Sequence, residues 1–170
     1  KYDSYLMGEI KIKTVDKIKE KKLKGIYALC VDTDTNQNLF ACDMELQRIL
    51  VFDTNMDKIK RIIVGTKEKI EFECPRDVCY FNKHIYVLDQ GTNSLDKFLV
   101  DSTSFVESFY FNQSKELIKN AWSANVCTNT IAIIDWKEKV FLFDEAYSLK
   151  SVIELNDVVS MCMLNNRRLN

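Results

Sequence analysis

The sequence predicts an all-β fold, a β-propeller built from four-stranded antiparallel blades. Three observations carry this expectation. Apolar runs closed by aspartate recur at a fixed interval, Leu39–Asp43, Ile85–Asp89 and Ile131–Asp135, with the aspartates 46 residues apart at both steps. Each run is preceded by one short apolar segment and followed by a polar turn and two more, so each unit reads as four strands rich in Val, Ile, Phe and Tyr. Helical periodicity is sustained nowhere, and only Glu116–Trp122 reads as a brief helical turn.

In chain order, the first strands of the units are Ala28–Asp32, Asp77–Phe81 and Asn125–Asn129, each containing a cysteine (Cys30, Cys79, Cys127). The aspartate-closed runs are the second strands. The third are Ile49–Asp53, Phe98–Asp101 and Val140–Asp144, and the fourth Ile59–Val64, Phe105–Phe111 and Leu149–Leu155. Ser160–Leu164 reads as a further first strand around Cys162. One such unit alone would leave apolar surface wet, and stacking units around an axis buries it. The expected division is a partial blade over 1–24, blades over 25–65, 66–113 and 114–155, and an innermost strand within 156–170. That makes about three and a half blades, where propellers use four to eight. The chain therefore reads as a segment of a longer propeller. A four-bladed closure through Ser160–Leu164 is the alternative.

Composition excludes several function classes. With 46% hydrophobic residues, 29% charged residues and a net charge of −1, the chain has no global pull toward nucleic acid or anionic membrane. No apolar run approaches the roughly 20 residues that span a bilayer, so no membrane association is expected. The six cysteines lack C-x-x-C spacing and a single histidine, His84, cannot build a multi-histidine metal site, so neither metal nor cofactor is expected. Cys30, Cys79, Cys127 and Cys162 read as small packing residues where innermost strands converge, and thiols of this kind fit a reducing, cytoplasmic compartment. Asp43, Asp89 and Asp135 end strands and begin turns, where a carboxylate accepts backbone N–H groups.

The motif of Leu39–Asp53, with its turn arginine at Arg48, resembles the NHL repeat, and Pro75-Arg76-Asp77-Val78 is similar to that family's proline-led approach to the innermost strand. The resemblance covers about residues 25–155. The second and third units depart from it, with Asp96-Lys97 and Lys139 where arginine is expected. It implies a six-bladed propeller of about 276 residues at this repeat length. It also implies a protein-interaction scaffold that recruits targets, in the context of RING-type ubiquitin ligases whose catalytic domain lies elsewhere. RNA binding is the family's alternative role. A propeller enzyme or an extracellular receptor propeller is a weaker reading, and no nucleophile elbow, phosphate loop or small-molecule site is evident.

The expected partner surface is the set of turns between second and third strands: Glu45 and Arg48, then Asn93 and Lys97, then Trp136, Lys137 and Lys139. Trp136 stands out as a large aromatic directly after a strand-ending aspartate, either packed on a neighbouring turn or serving as a binding anchor. For RNA, the candidates are Lys17, Lys19, Lys21, Lys22 and Lys24. The equivalent connection over 65–77 is acidic on balance, so the basic run reads first as a solvated loop.

Overall fold

A computed structural model describes residues 23–154, apart from 36, 54, 56–57, 66–70, 112–117 and 137–138. Every element among the described residues is a strand. Blade 1 comprises β1 (Ile26–Val31), β2 (Asn38–Asp43), β3 (Arg48–Asp53) and β4 (Ile59–Ile63). Blade 2 comprises β5 (Pro75–Phe81), β6 (His84–Asp89), β7 (Ser94–Leu99) and β8 (Phe105–Tyr110). Blade 3 comprises β9 (Ala121–Cys127), β10 (Thr130–Asp135), β11 (Lys139–Phe143) and β12 (Leu149–Glu154). Each sheet is an antiparallel meander whose spatial order is its chain order. β5 lies against β1 on one side and β9 on the other, so the first strands converge.

The second strands show why these sequences fold this way. In β6, Ile85 and Val87 pack into the core shared with blade 1, while Tyr86 and Leu88 pack into the core shared with blade 3. A strand buried on both faces needs an unbroken apolar run, which is what repeats along the chain. Side chains of this size contribute about 1.5–3 kcal/mol each when fully buried. Aromatic edges lock both interfaces: Phe72 meets Phe98 at 6.1 Å, and Phe109 meets Phe143 at 5.0 Å. Two-residue turns close the far ends of the β5–β6 and β9–β10 pairs. Asn82 and Lys83 both take positive φ (47° and 63°) between paired Phe81 and His84, the conformation a tight hairpin of this twist requires.

Two expectations are corrected. The third strand of blade 2 is Ser94–Leu99 rather than Phe98–Asp101, because ladder pairing runs from Asp89↔Ser94 to His84↔Leu99. The helical turn fails at its end, since Ala121 and Trp122 belong to β9, while 112–117 lie outside the described residues. Ser160–Leu164, with Cys162, also lies outside them.

Candidate functional site

One hydrogen-bonded clasp is built three times. At the end of each second strand, an aspartate accepts the backbone N–H of the residue leading into the first strand: Gly25 to Asp43 Oδ1 (3.3 Å), Cys74 to Asp89 Oδ1 (2.8 Å) and Asn120 to Asp135 Oδ1 (3.0 Å). The residue after the aspartate returns the bond, Met44 N–H to Gly25 O (2.9 Å), Gln90 to Cys74 O (2.9 Å) and Trp136 to Asn120 O (3.0 Å). The aspartates are at most 8% exposed. The clasps gather the β2–β3, β6–β7 and β10–β11 turns and the lead-ins to the first strands on one face, the clasp face. Gln47 Nε2 donates to Glu73 O across blades at 2.9 Å. A Cβ on Gly91 would come within 2.4 Å of the Glu73 Cβ, so this turn tolerates only glycine beside the connection.

The residues expected on this face divide sharply. Glu45 is exposed on the blade 1 turn. Arg48 is a correction, because it is buried and its Nε and Nη2 both donate to Asp43 Oδ2 at 3.1 Å. Asn93 is half-buried with φ of 52°, a left-handed turn position that asparagine tolerates well. Lys97 is a second correction. It sits mid-strand opposite Tyr86, pairs with Glu107 at 3.0 Å, and lines a groove toward the opposite end of blades 2 and 3. Lys139 opens β11 and pairs with Glu154 at 3.3 Å. Lys137 lies outside the described residues, as do Lys17, Lys19, Lys21 and Lys22, while Lys24 is exposed.

Three residues absent from the expected set form the most distinctive feature of the clasp face. Each first strand carries a β-bulge at the same place. Ile26 pairs with Asp43 and Ala28 with Cys42, Pro75 with Asp89 and Asp77 with Leu88, Ala121 with Asp135 and Ser123 with Ile134. The extra residues are Tyr27, Arg76 and Trp122. A bulge leaves its extra residue out of the ladder and re-aims the side chain. The Arg76 guanidinium carbon sits 3.2 Å from the Trp122 ring centroid and 5.5 Å from that of Tyr27. Trp136 lies against Trp122 at 3.7 Å and is 37% exposed. Tyr27, Arg76, Asp77 and Trp122 line one cleft with Leu29 and Ser123. Burial holds the Arg76 guanidinium below its usual pKa, a pull that nearby Cys74 opposes. Asp77 accepts the Ser123 hydroxyl (2.7 Å) and the Ala124 N–H (2.9 Å), tying β5 to β9, and its burial raises its pKa against those bonds. The signal was present in the sequence for two of them, since aligning the repeats on their aspartates stacks Arg76 and Trp122 thirteen residues before Asp89 and Asp135, while Tyr27 falls out of the column because the β1–β2 turn is longer.

Cys74 belongs to the clasp beside Arg76, and the other described cysteines sit elsewhere. Cys30 and Cys79 pack half-buried against the two blade interfaces, and burial raises both thiols. The fully buried Cys42 donates its S–H to Pro75 O at 2.9 Å, bridging blades 1 and 2. The five described cysteines are free thiols.

Comparison with known proteins supports the architecture alone. No family model matches the chain, and no curated protein matches it by sequence. Among solved structures, it is similar to the computationally designed Ika8 protein (TM-score 0.59, 9% identity, covering 86% of this chain and 42% of that one). It is similar to the glutaminyl cyclase of Myxococcus xanthus (TM-score 0.56, 17% identity, 79% and 55% covered). A third is a streptogramin B lyase (TM-score 0.57, 13% identity, 77% and 41% covered). The chain thus spans about half the length of these neighbours or less. At such identities the likeness is one of fold. The described chain is all-β, three four-stranded blades of a propeller-like architecture.

Proposed function

We propose that this chain is part of a protein-interaction propeller, binding its partner on the clasp face. The observation that carries the reading is the Tyr27–Arg76–Trp122 array, brought by bulges from three blades into one partly exposed cluster with Trp136 of the β10–β11 turn. Tyrosine, tryptophan and arginine are the residues that dominate binding energy at protein interfaces. The NHL resemblance supplies the proposed context, recruitment of targets in a reducing compartment, with any ligase chemistry on another domain. In this reading the segment itself is not catalytic.

The test is site-specific photo-crosslinking in cell extract from Glu45, on the clasp face, against Thr128, on the opposite turn. Protein adducts should come selectively from position 45. Trp136→Ala should weaken partner capture by about tenfold or more while leaving the melting temperature within a few degrees. Adducts to RNA, or equal yields from both faces, would sink the reading.

A further inference from the structure

Arg76 differs from the ion-paired cations of the described chain. Arg48 pairs with Asp43, Lys97 with Glu107, Lys139 with Glu154 and Lys150 with Asp144. Among the described residues, no carboxylate stands within ion-pair distance of Arg76. The neighbouring Asp77 lines the same cleft, but its oxygens accept the N–H groups of Val78 and Ala124 and the Ser123 hydroxyl. The Arg76 bonds are to neutral acceptors, Nη1 donating to Gln90 Oε1 at 3.2 Å and to Met44 Sδ at 3.8 Å. Its Nε is buried without an acceptor. Trp122 holds the guanidinium plane in place, so little freedom is left to lose when an anion binds. The buried Nε cannot meet a ligand, so an incoming anion is received at the outer Nη edge of this partly desolvated guanidinium.

The surroundings select the kind of anion. Tyr27 (54% exposed) and Trp136 (37%) offer aromatic surface around the fork. A nucleic-acid backbone needs several cations acting along a track. Here exposed Glu45 and Glu73 alternate with exposed Lys24 and Lys119 around the clasp-face turns and lead-ins, so the described residues form no continuous cationic track. One charge bedded in aromatic surface matches an acidic side chain flanked by apolar residues.

We propose that the cleft binds a single carboxylate of a partner polypeptide, with Arg76 as the fork and Tyr27 and Trp122 receiving the apolar residues beside it. This rests on the clasp face being a protein-binding surface, and it adds the chemistry recognised there.

The chain contains two tryptophans, Trp122 and Trp136, and both border this site, so intrinsic fluorescence reports on it directly. The probes are a capped pentapeptide with one glutamate among apolar residues, its glutamine counterpart, and a short oligouridylate. The glutamate peptide should shift the emission and bind about tenfold or more tightly than the glutamine peptide. Arg76→Gln should erase that preference and Arg76→Lys should restore part of it, with circular dichroism confirming the fold of each variant. Equal affinity for the two peptides, both weakened by Trp136→Ala, overturns the carboxylate fork while leaving a protein-binding face. Oligouridylate binding in preference to either peptide overturns both readings. No emission change with the glutamate peptide overturns the fork alone, and the crosslinking result decides the face separately.

Discussion

Blades 1 and 2 use one clasp with different second partners. In blade 1, Asp43 gives one oxygen to the N–H groups of Gly25 and Leu46 and the other to the buried Arg48 guanidinium. In blade 2 the residue at the register position of Arg48 is Ser94, and the second oxygen of Asp89 accepts the Glu73 N–H at 3.1 Å. The backbone half of the clasp is therefore common to both blades, and the arginine is one way among several of satisfying the remaining lone pairs. A repeat motif that includes arginine mixes a structural necessity with an optional solution.

The largest expected effect tests that distinction. Asp43→Ala removes a carboxylate from the buried Arg48 guanidinium and should cost about 3–5 kcal/mol, whereas Asp89→Ala loses hydrogen bonds to one carboxylate and should cost about 1.5–3 kcal/mol. Urea denaturation of the two variants measures the gap. Adding Arg48→Ser to Asp43→Ala should recover much of the difference, and failure to do so would mean that Arg48 is not what separates the blades.

A smaller contrast lies on the opposite face. The β1–β2 turn of blade 1 is organised by Asp32, while blade 2 closes with Asn82 and Lys83 and no carboxylate. Burial pushes the Asp32 carboxyl upward, but bonds from the Thr35 hydroxyl and N–H, Asn38 and the Asp34 N–H outweigh it and hold the pKa below the ordinary value. A depressed folded-state pKa gives stability that is complete above the unfolded value, near 4, and is lost as pH falls through the folded one. Stability should thus drop on the order of 1 kcal/mol below about pH 4, and Asp32→Asn should flatten that limb. An unchanged acid limb would assign the sensitivity to another carboxylate.

The smallest effect contrasts a buried pair with an exposed one. Glu107 is 44% exposed on its side chain where it meets Lys97. Glu107→Gln should cost under about 1 kcal/mol and nothing measurable in high salt, while the Asp43–Arg48 contribution should persist there. A salt-resistant loss at Glu107 would erase the contrast.

The blades were legible because two-sided burial imposes apolar runs and the clasp imposes an aspartate at the end of each second strand. Both constraints are local and repeat with the fold. Positions in the turns were less legible. Arg48 looked like a surface residue because an arginine beside a turn is usually solvated, and only the ladder shows it folded back onto Asp43. Lys97 falls in a turn when apolar Phe98 is read as the start of the strand. The true strand begins at Ser94, whose small polar side chain is buried beside Thr92. Arg76 escaped because a bulge breaks the alternation by which strand faces are read, and its consequence appears only when three blades stand side by side.

The meander order of every sheet has a kinetic consequence. Each hydrogen-bonded strand pair is joined by one short connection, so the pairing within a blade closes small loops and demands little chain entropy before it is rewarded. Contacts between blades, such as Asp77 with Ser123 and Ala124, span 46 and 47 residues and come at a greater entropic cost. Sheets can thus form singly and early, and docking of finished sheets becomes the slow step. Amides inside a blade should accordingly gain protection from hydrogen exchange before the bonds that join β5 to β9.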